Sequence, residues 1–398
     1  MIQLGAFDTS VSGAMKDAYL KELEVTTRVP LTEVAKGRDR IEFASHVPDA
    51  ERPLTVAAVQ KALKTLGFFP GGKEDGICGY RTVSAIRLFQ EYVRSVEKID
   101  CIPDGIFGAA SQQHLTRWLN GHLSMEWAPT IDQWRANTLG QTEYTAWLAL
   151  LEQVKAKYVA SPNRMLTMVN AFTRPSDTRK PGNWDFSPQG IHLIGVRRHE
   201  TKNRFDDIFV LLLKGLVFKF RGSTEPGKAK DPAAGAPFLV QGQHDYHFGW
   251  HKLTYLALRP QKHGVLVVRS KNDMQLDEND LANGLEVNGT INIHWGGQGL
   301  NEIKDWSEGC QVINSTAYLQ PDNRLVNCSR FSAVNNTEFA SVPGKTRAAY
   351  SVLVDLVTAL GSDIGAGAMR YTMLIEPDLD LSPTLKHGLA DARTKLLT

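Results

Sequence analysis

The chain has 398 residues, with 45 Lys and Arg against 43 Asp and Glu and a formal net charge of +2. At ~100–200 residues per domain this length implies two or three domains, and the 42% hydrophobic content is that of an ordinary globular chain. The near-balanced charge argues against a nucleic-acid-binding surface as the main role, and four cysteines are too few for a disulfide scaffold.

Residues 1–50 are mixed and polar, show no sustained period, and read as an unassigned N-terminal extension. They hold no basic stretch followed by an apolar core, so no secretory signal is expected. The densest apolar run, Ile208 to Phe220, is broken by Lys214 and Lys219. A spanning helix needs ~20 apolar residues, so this run predicts strands and no membrane partner is expected.

From Arg52 a helical period sets in. Thr55 is placed to cap a helix, and Val59, Ala62, Leu63 and Leu66 recur at helical spacing before Gly67 closes the run. A Pro70-Gly71-Gly72 turn and an Asp75-Gly76-Ile77-Cys78-Gly79 segment follow. A second helix is predicted from Thr82, with Val83, Ile86, Phe89 and Val93 on one face. The turn recurs 29 residues on as Asp104-Gly105-Ile106-Phe107-Gly108, ahead of a helical stretch through Leu115 and Leu119. Aspartate bonds its own following backbone and glycine supplies positive φ, so residues 51–120 read as short helices joined by two glycine turns.

This ordered set resembles the three-helix peptidoglycan-binding domain. The residues that carry the likeness are Leu66-Gly67-Phe68-Phe69-Pro70-Gly71, Asp75 to Gly79, Thr82, Ala85-Ile86, Phe89-Gln90 and the second Asp-Gly turn. The resemblance implies a module that binds sugar and peptide of the cell wall on a shallow face near the helix ends. Cys78 and Cys101 share this segment, either as two separate thiols or, in an exported protein, as a bridge.

Residues 121–182 read as a helical connector, with Trp134, Trp147, Leu148, Leu151, Val154 and Tyr158 on an apolar stripe. Arg174-Pro175-Ser176-Asp177 and Lys180-Pro181-Gly182-Asn183 then mark a turn-rich boundary. Residues 183–375 carry short strand patterns: Ile191–Val196, Ile208–Leu213, Leu216–Phe220, Tyr255–Leu258, Val265–Val268 and Ile291–His294, with Lys214-Gly215 turning a hairpin. An amphipathic helix is predicted from Lys345, with Ala349, Leu353, Leu356 and Leu360 on one side, and residues 376–398 read as a tail. The expected fold class is therefore α+β and multidomain: a helical bundle, a helical connector and a mainly β domain with a flanking helix.

The chemistry concentrates between Ile291-Asn292-Ile293-His294-Trp295-Gly296-Gly297 and Trp306-Ser307-Glu308-Gly309-Cys310-Gln311. Glycine before a nucleophile lets the chain bend and leaves amide N–H groups to face a developing oxyanion. A thiol needs a base or a positive neighbour to become a thiolate, and His294, 16 residues earlier, is placed to supply it. Cys328 reads as packing. His244, His247 and His251 invite a zinc site, but Asp245, Tyr246, Phe248 and Gly249 between them favour a strand or loop over a helix. A substrate-lining role is preferred and no metal or cofactor is assigned. Arg269 and Asn272 are candidates for the same cleft. The Gly296-Gly297-Gln298-Gly299 stretch lacks the residues of a phosphate loop and reads as a loop between base and nucleophile.

The Ser-x-Gly-Cys turn with its upstream Ile-x-Ile-His resembles the L,D-transpeptidase catalytic domain, in a divergent branch seen in phage-associated and bacterial modular proteins. Pro226-Gly227, Gly242-Gln243-His244, Gly249-Trp250-His251 and Ala257-Leu258 belong to the same order. The resemblance implies a β-rich enzyme acting on peptidoglycan peptide stems through a thioester, with Cys310 the nucleophile and His294 the general base. Ser307 and Gly309 shape the turn, with backbone N–H groups at Gly309 and Cys310 as oxyanion donors. His251, Trp306, Gln311, Arg269 and Tyr246 are its candidate substrate-binding residues. Glu308 replaces the usual histidine of the turn and Gln311-Val312 the usual apolar-arginine pair. Peptidoglycan, in peptide stems and glycan, is the expected partner. A lytic effector or phage endolysin, acting at the periplasm or wall after signal-independent export, delivery or lysis, is the expected setting. For a delivered toxin the further partners are an immunity protein or a component of a secretion machine. The alternatives are a non-catalytic wall-binding or phage structural protein and a zinc-dependent peptidase.

Overall fold

The computed structural model describes residues 1–27, 43, 54–136, 142–198, 203–251, 255–271, 275–297, 299–328, 348–364 and 369–397. The chain divides into two compact units. The first comprises Met1–Thr138, Lys252–Tyr255 and Val326–Gly367, and the second Leu139–His251, Leu256–Leu325 and Ala368–Thr398.

In the first unit the helix Val56–Thr65 starts where the sequence predicts, with the Thr55 side chain accepting from the Ala58 N–H. A second cap comes from the stretch read as an extension. Asp8 accepts from the Val56 and Ala57 N–H groups at 2.7 and 2.8 Å, placing a carboxylate at the positive end of that helix. Residues 28–42 and 44–53 of the extension and its junction lie outside the described residues.

The two Asp-Gly-Ile turns are built alike. Gln60 donates to Asp75, to the Ile77 carbonyl and to Thr82, and accepts from the Gly76 N–H. Gln90, in the helix Tyr80–Ser95, donates to Asp104, the Ile106 carbonyl and Ser111, and accepts from the Gly105 N–H. In each case the two N–H groups of one buried amide are shared among three acceptors of a single turn while its carbonyl takes that turn's glycine N–H. The helix Ala109–Asn120 follows the second turn, and Phe68, Phe89, Tyr92, Trp118 and Trp127 cluster as an aromatic core.

The helix expected to flank the β domain belongs to this first unit instead. It runs Ala348–Leu360, all but Thr358 of it buried, and packs on Tyr80–Ser95. Its apolar residues surround it rather than forming one stripe, the pattern of a fully enclosed helix. Arg87 donates through Nε and Nη2 to Asp355 at 2.8 and 2.6 Å in a buried pair. All four cysteines are free, with Cys78, Cys101 and Cys328 buried.

The second unit holds the strands, except for Tyr255, Val326 and Asn327, which fall in the first. The strands are β1 (His192–Arg197), β2 (Asp207–Leu213), β3 (Leu216–Ser223), β4 (Ala236–Leu239), β5 (Gly242–His251), β6 (Tyr255–Pro260), β7 (Val265–Ser270), β8 (Glu286–Asn288), β9 (Ile293–Trp295), β10 (Gln311–Ile313), β11 (Ala317–Leu319), β12 (Leu325–Asn327) and β13 (Met369–Ile375). The order β10-β9-β6-β5-β13-β1-β2-β3 closes through a β10–β3 pairing into an eight-stranded barrel, and β4, β7 and β8 form a separate small sheet. β2 and β3 are the expected hairpin, with Lys214 and Gly215 at φ 50° and 80°.

Alternation along the strands sorts the faces. Ile194, Val196, Ile208, Val210 and Leu212 join a core with the helices Thr142–Ala160, Arg164–Ala171 and Pro383–Leu396. The opposite face carries Phe209, Tyr371, His244 and Tyr246, whose rings fill the barrel interior. The helix Pro383–Leu396 differs from the expected tail. Leu385, Leu389, Ala392 and Leu396 recur at helical spacing and are buried, and Ser382 caps it through the Leu385 N–H.

Candidate functional site

Cys310 sits in the turn that leads into β10 and is half-buried. The turn is tied by Ser307, whose hydroxyl donates to the Cys310 carbonyl at 2.7 Å and accepts from the Gly309 N–H at 3.1 Å. Gly309 lies at φ 132°, and a Cβ there would stand 2.7 Å from both Cγ and the carbonyl of Pro237. Only glycine meets both demands. The Gly309 N–H, expected as an oxyanion donor, is therefore engaged inside the turn, because the Ser307 hydroxyl is the nearer acceptor.

The Cys310 Sγ donates to the Thr290 carbonyl at 3.3 Å and accepts from the Asn292 N–H at 3.4 Å. Both contacts come from the segment that leads into β9. β9 and β10 run parallel with Gln311 opposite Ile293 and Val312 opposite His294, so Val312 and His294 share a face and Asn292 shares it by alternation. That face is the outward one, since Gln311 accepts from the Tyr371 hydroxyl on the interior side.

His294 is buried, and its Nδ1 bonds the Trp295 carbonyl at 2.8 Å. A carbonyl accepts only, so Nδ1 carries a proton, and in the neutral form of the ring the lone pair is then on Nε2. His251, at the end of β5, stacks on His294 with ring centroids 4.5 Å apart, and its Nδ1 takes a 2.9 Å bond from Asn292 Nδ2. Cys310, Asn292, His294 and His251 thus form one connected group. Trp306 adjoins it, edge-on to Trp295 at 5.2 Å.

The other predicted lining residues stand elsewhere. Tyr246 is fully buried, its hydroxyl donates to the Ile291 carbonyl, and burial holds its pKa well above 10. Interior alternation on β5 makes it a support beneath the site. Gln311 is likewise interior and donates to the Gly309 carbonyl, bracing the turn from below. Arg269 belongs to the small sheet, where Glu286 and the Gly235 carbonyl take its guanidinium. Asn272, Gln298 and the Trp250 side chain lie outside the described residues. Asn292 and Thr290 were not singled out by sequence reasoning. The signal for Asn292 was a polar residue two positions from His294 within an apolar strand run.

For the histidine series, strand alternation puts His244 on the opposite face of β5 from His247 and His251. His244 is buried between Thr178 and the Val240 carbonyl, and burial pushes its pKa down to about 3. Among the described residues no group of three or more His, Cys, Asp or Glu side chains could hold a metal ion. Among the same residues no helix is long and apolar enough to cross a membrane.

Residues 53–94 match the family described as "Putative peptidoglycan binding domain". The match supports a peptidoglycan-binding domain in the first unit and peptidoglycan as a partner of the chain. Neither the curated proteins nor the solved structures give a match.

Proposed function

We propose that the second unit is a cysteine acyltransferase or peptidase of L,D-transpeptidase type, acting on the peptide stems of the polymer that the first unit binds. The observation that carries this reading is the Cys310 thiol held by the Thr290 carbonyl and the Asn292 N–H, with Asn292 joined through His251 to His294. In the reaction His294 Nε2 takes the thiol proton and the sulfur attacks the stem carbonyl. The C–N bond breaks as the proton passes to the departing amine, leaving a thioester. Water or a second amine then releases the acyl group. The Asn292 N–H stabilises the thiolate. Binding by the first unit raises the local concentration of polymer at the thiol.

A lytic effector or endolysin acting at the wall is the setting this chemistry suits. The test is mass spectrometry of muropeptides incubated with the wild-type chain and with Cys310→Ala. Stem trimming, exchange or cross-link cleavage by the wild type alone is expected. Equal products from both, or none from either, would sink the proposal. A second reading, adhesion without chemistry, draws on the match at residues 53–94. It expects unchanged muropeptides together with sedimentation of the chain with cell walls.

A further inference from the structure

A cavity of about 680 Å³ opens in the second unit, away from the residues grouped around Cys310. Arg174, Arg179 and Lys180 line it together with a single carboxylate, Asp245. That carboxylate is already engaged, since Arg179 Nε donates to both its oxygens at 2.9 Å. Arg174 stands 5.1 Å over the Phe172 ring, and Lys180 Nζ donates to the Asn170 carbonyl at 2.7 Å. Among the described residues neither Arg174 nor Lys180 is ion-paired. Two uncompensated cations in one concavity focus positive potential there.

The rim that presents them is fixed. Asp177 Oδ2 accepts from the Lys262, His263 and Gly264 N–H groups, each at 2.8 Å. Thr178 Oγ1 bonds His244 Nδ1 and takes the Leu266 N–H, and the Arg179 N–H donates to the Gln243 carbonyl. Segment 177–179 is thus stitched to β5 and β7, which fixes Arg179 and the backbone next to Lys180.

We infer that this cavity binds an oxyanion ligand, carboxylate or phosphate, at a site separate from Cys310. Binding there does not depend on chemistry at Cys310, whereas a wall-derived ligand rests on the stem-directed reading above. Asp245 and His251 lie on one face of β5, six residues and roughly 20 Å apart at strand spacing, a reach that fits an adjoining carboxylate-bearing stem.

The test uses the full chain carrying Cys310→Ala, so that no turnover intrudes and failure of the catalytic reading leaves the result interpretable. Isothermal titration at low ionic strength is run with a soluble stem tetrapeptide and, separately, with inorganic phosphate. Adding Arg174→Glu and Lys180→Glu together should weaken binding by about tenfold or more, the worth of one charge-assisted hydrogen bond. Arg174→Lys, which keeps the charge but not the planar group over Phe172, should lose less than Arg174→Glu. Loss of peptide affinity supports the site with a wall ligand, and loss of phosphate affinity alone supports it with a phosphate ligand. Binding indifferent to the reversals, or absent for both probes, overturns it. The single Arg174→Glu change, at an exposed side chain, provides the measurement should the double variant melt early.

Discussion

His251 lies flat against His294, with ring planes 29° apart, while Asn292 bonds the Nδ1 of His251. The stack orients the proposed base by contact on its face, and the bond orients the stack. His251→Phe keeps a ring in place and leaves Asn292 Nδ2 without its acceptor. We expect kcat on muropeptides to fall severalfold for His251→Phe and further for His251→Ala. His294→Ala should cost about 10²–10⁴, the usual range for a positioned base. A His251→Ala variant with unchanged kcat would remove this positioning role.

The Gly309 turn should resist any side chain. Gly309→Ala places a Cβ against Pro237 at a φ of 132° and should lower stability by about 1–3 kcal/mol. Gly284 is the control: it has φ 78°, but a Cβ added there would meet nothing within 4 Å, so Gly284→Ala should cost less. Thermal unfolding of the two variants compares them directly.

Breaking the buried pair in the first unit should be costly one way and mild the other. Asp355→Leu leaves Arg87 charged and enclosed, for an expected loss of about 3–5 kcal/mol. Arg87→Met combined with Asp355→Leu should recover most of that loss. Denaturant titration of the single and double variants gives the coupling, and additive losses would contradict it.

Asp207 gives a pH signature. It is fully buried at the start of β2, where it accepts from the Thr224 N–H and hydroxyl, and burial, reinforced by Glu225, pushes its carboxyl up to about 7. The native state therefore holds a proton that the unfolded chain releases near the ordinary carboxylate range. This stabilisation is complete below about 3.8 and is lost as pH rises towards 7. Asp207→Asn should gain melting temperature relative to wild type as pH is raised from 5 to 8. A difference that stays constant across that range would refute the assignment.

Much of the first unit was legible because local signals agreed. Thr55 caps where expected, and the two Asp-Gly turns recur in sequence and in hydrogen bonding. What escaped was non-local. Asp8 caps a helix 48 residues away, and the helix Ala348–Leu360 reaches the bundle from far along the chain. Spacing rules see neither partner. In the second unit the strands from Ile191 to Phe220 were plain from their apolar runs, whereas β10 and β11 span three residues each, too short for a periodicity. The Cys310–Asn292–His294–His251 grouping was half visible. Three of its members stood out as reactive types, but Tyr246 and Gln311 were expected to bind substrate and instead lie beneath the site. Strand alternation, which needs the register, turns both inward.

The Arg87–Asp355 pair spans 268 residues. At ~5–20 residues per second of synthesis, the interval between the two side chains leaving the ribosome is roughly 13–54 seconds. Through that interval the helix Tyr80–Ser95 has no Ala348–Leu360 to cover it, while Gln60 and Gln90 can already close their turns. The wall-binding unit is therefore the first to begin folding and among the last to finish, and translation cannot complete it until every barrel strand except β13 has been made.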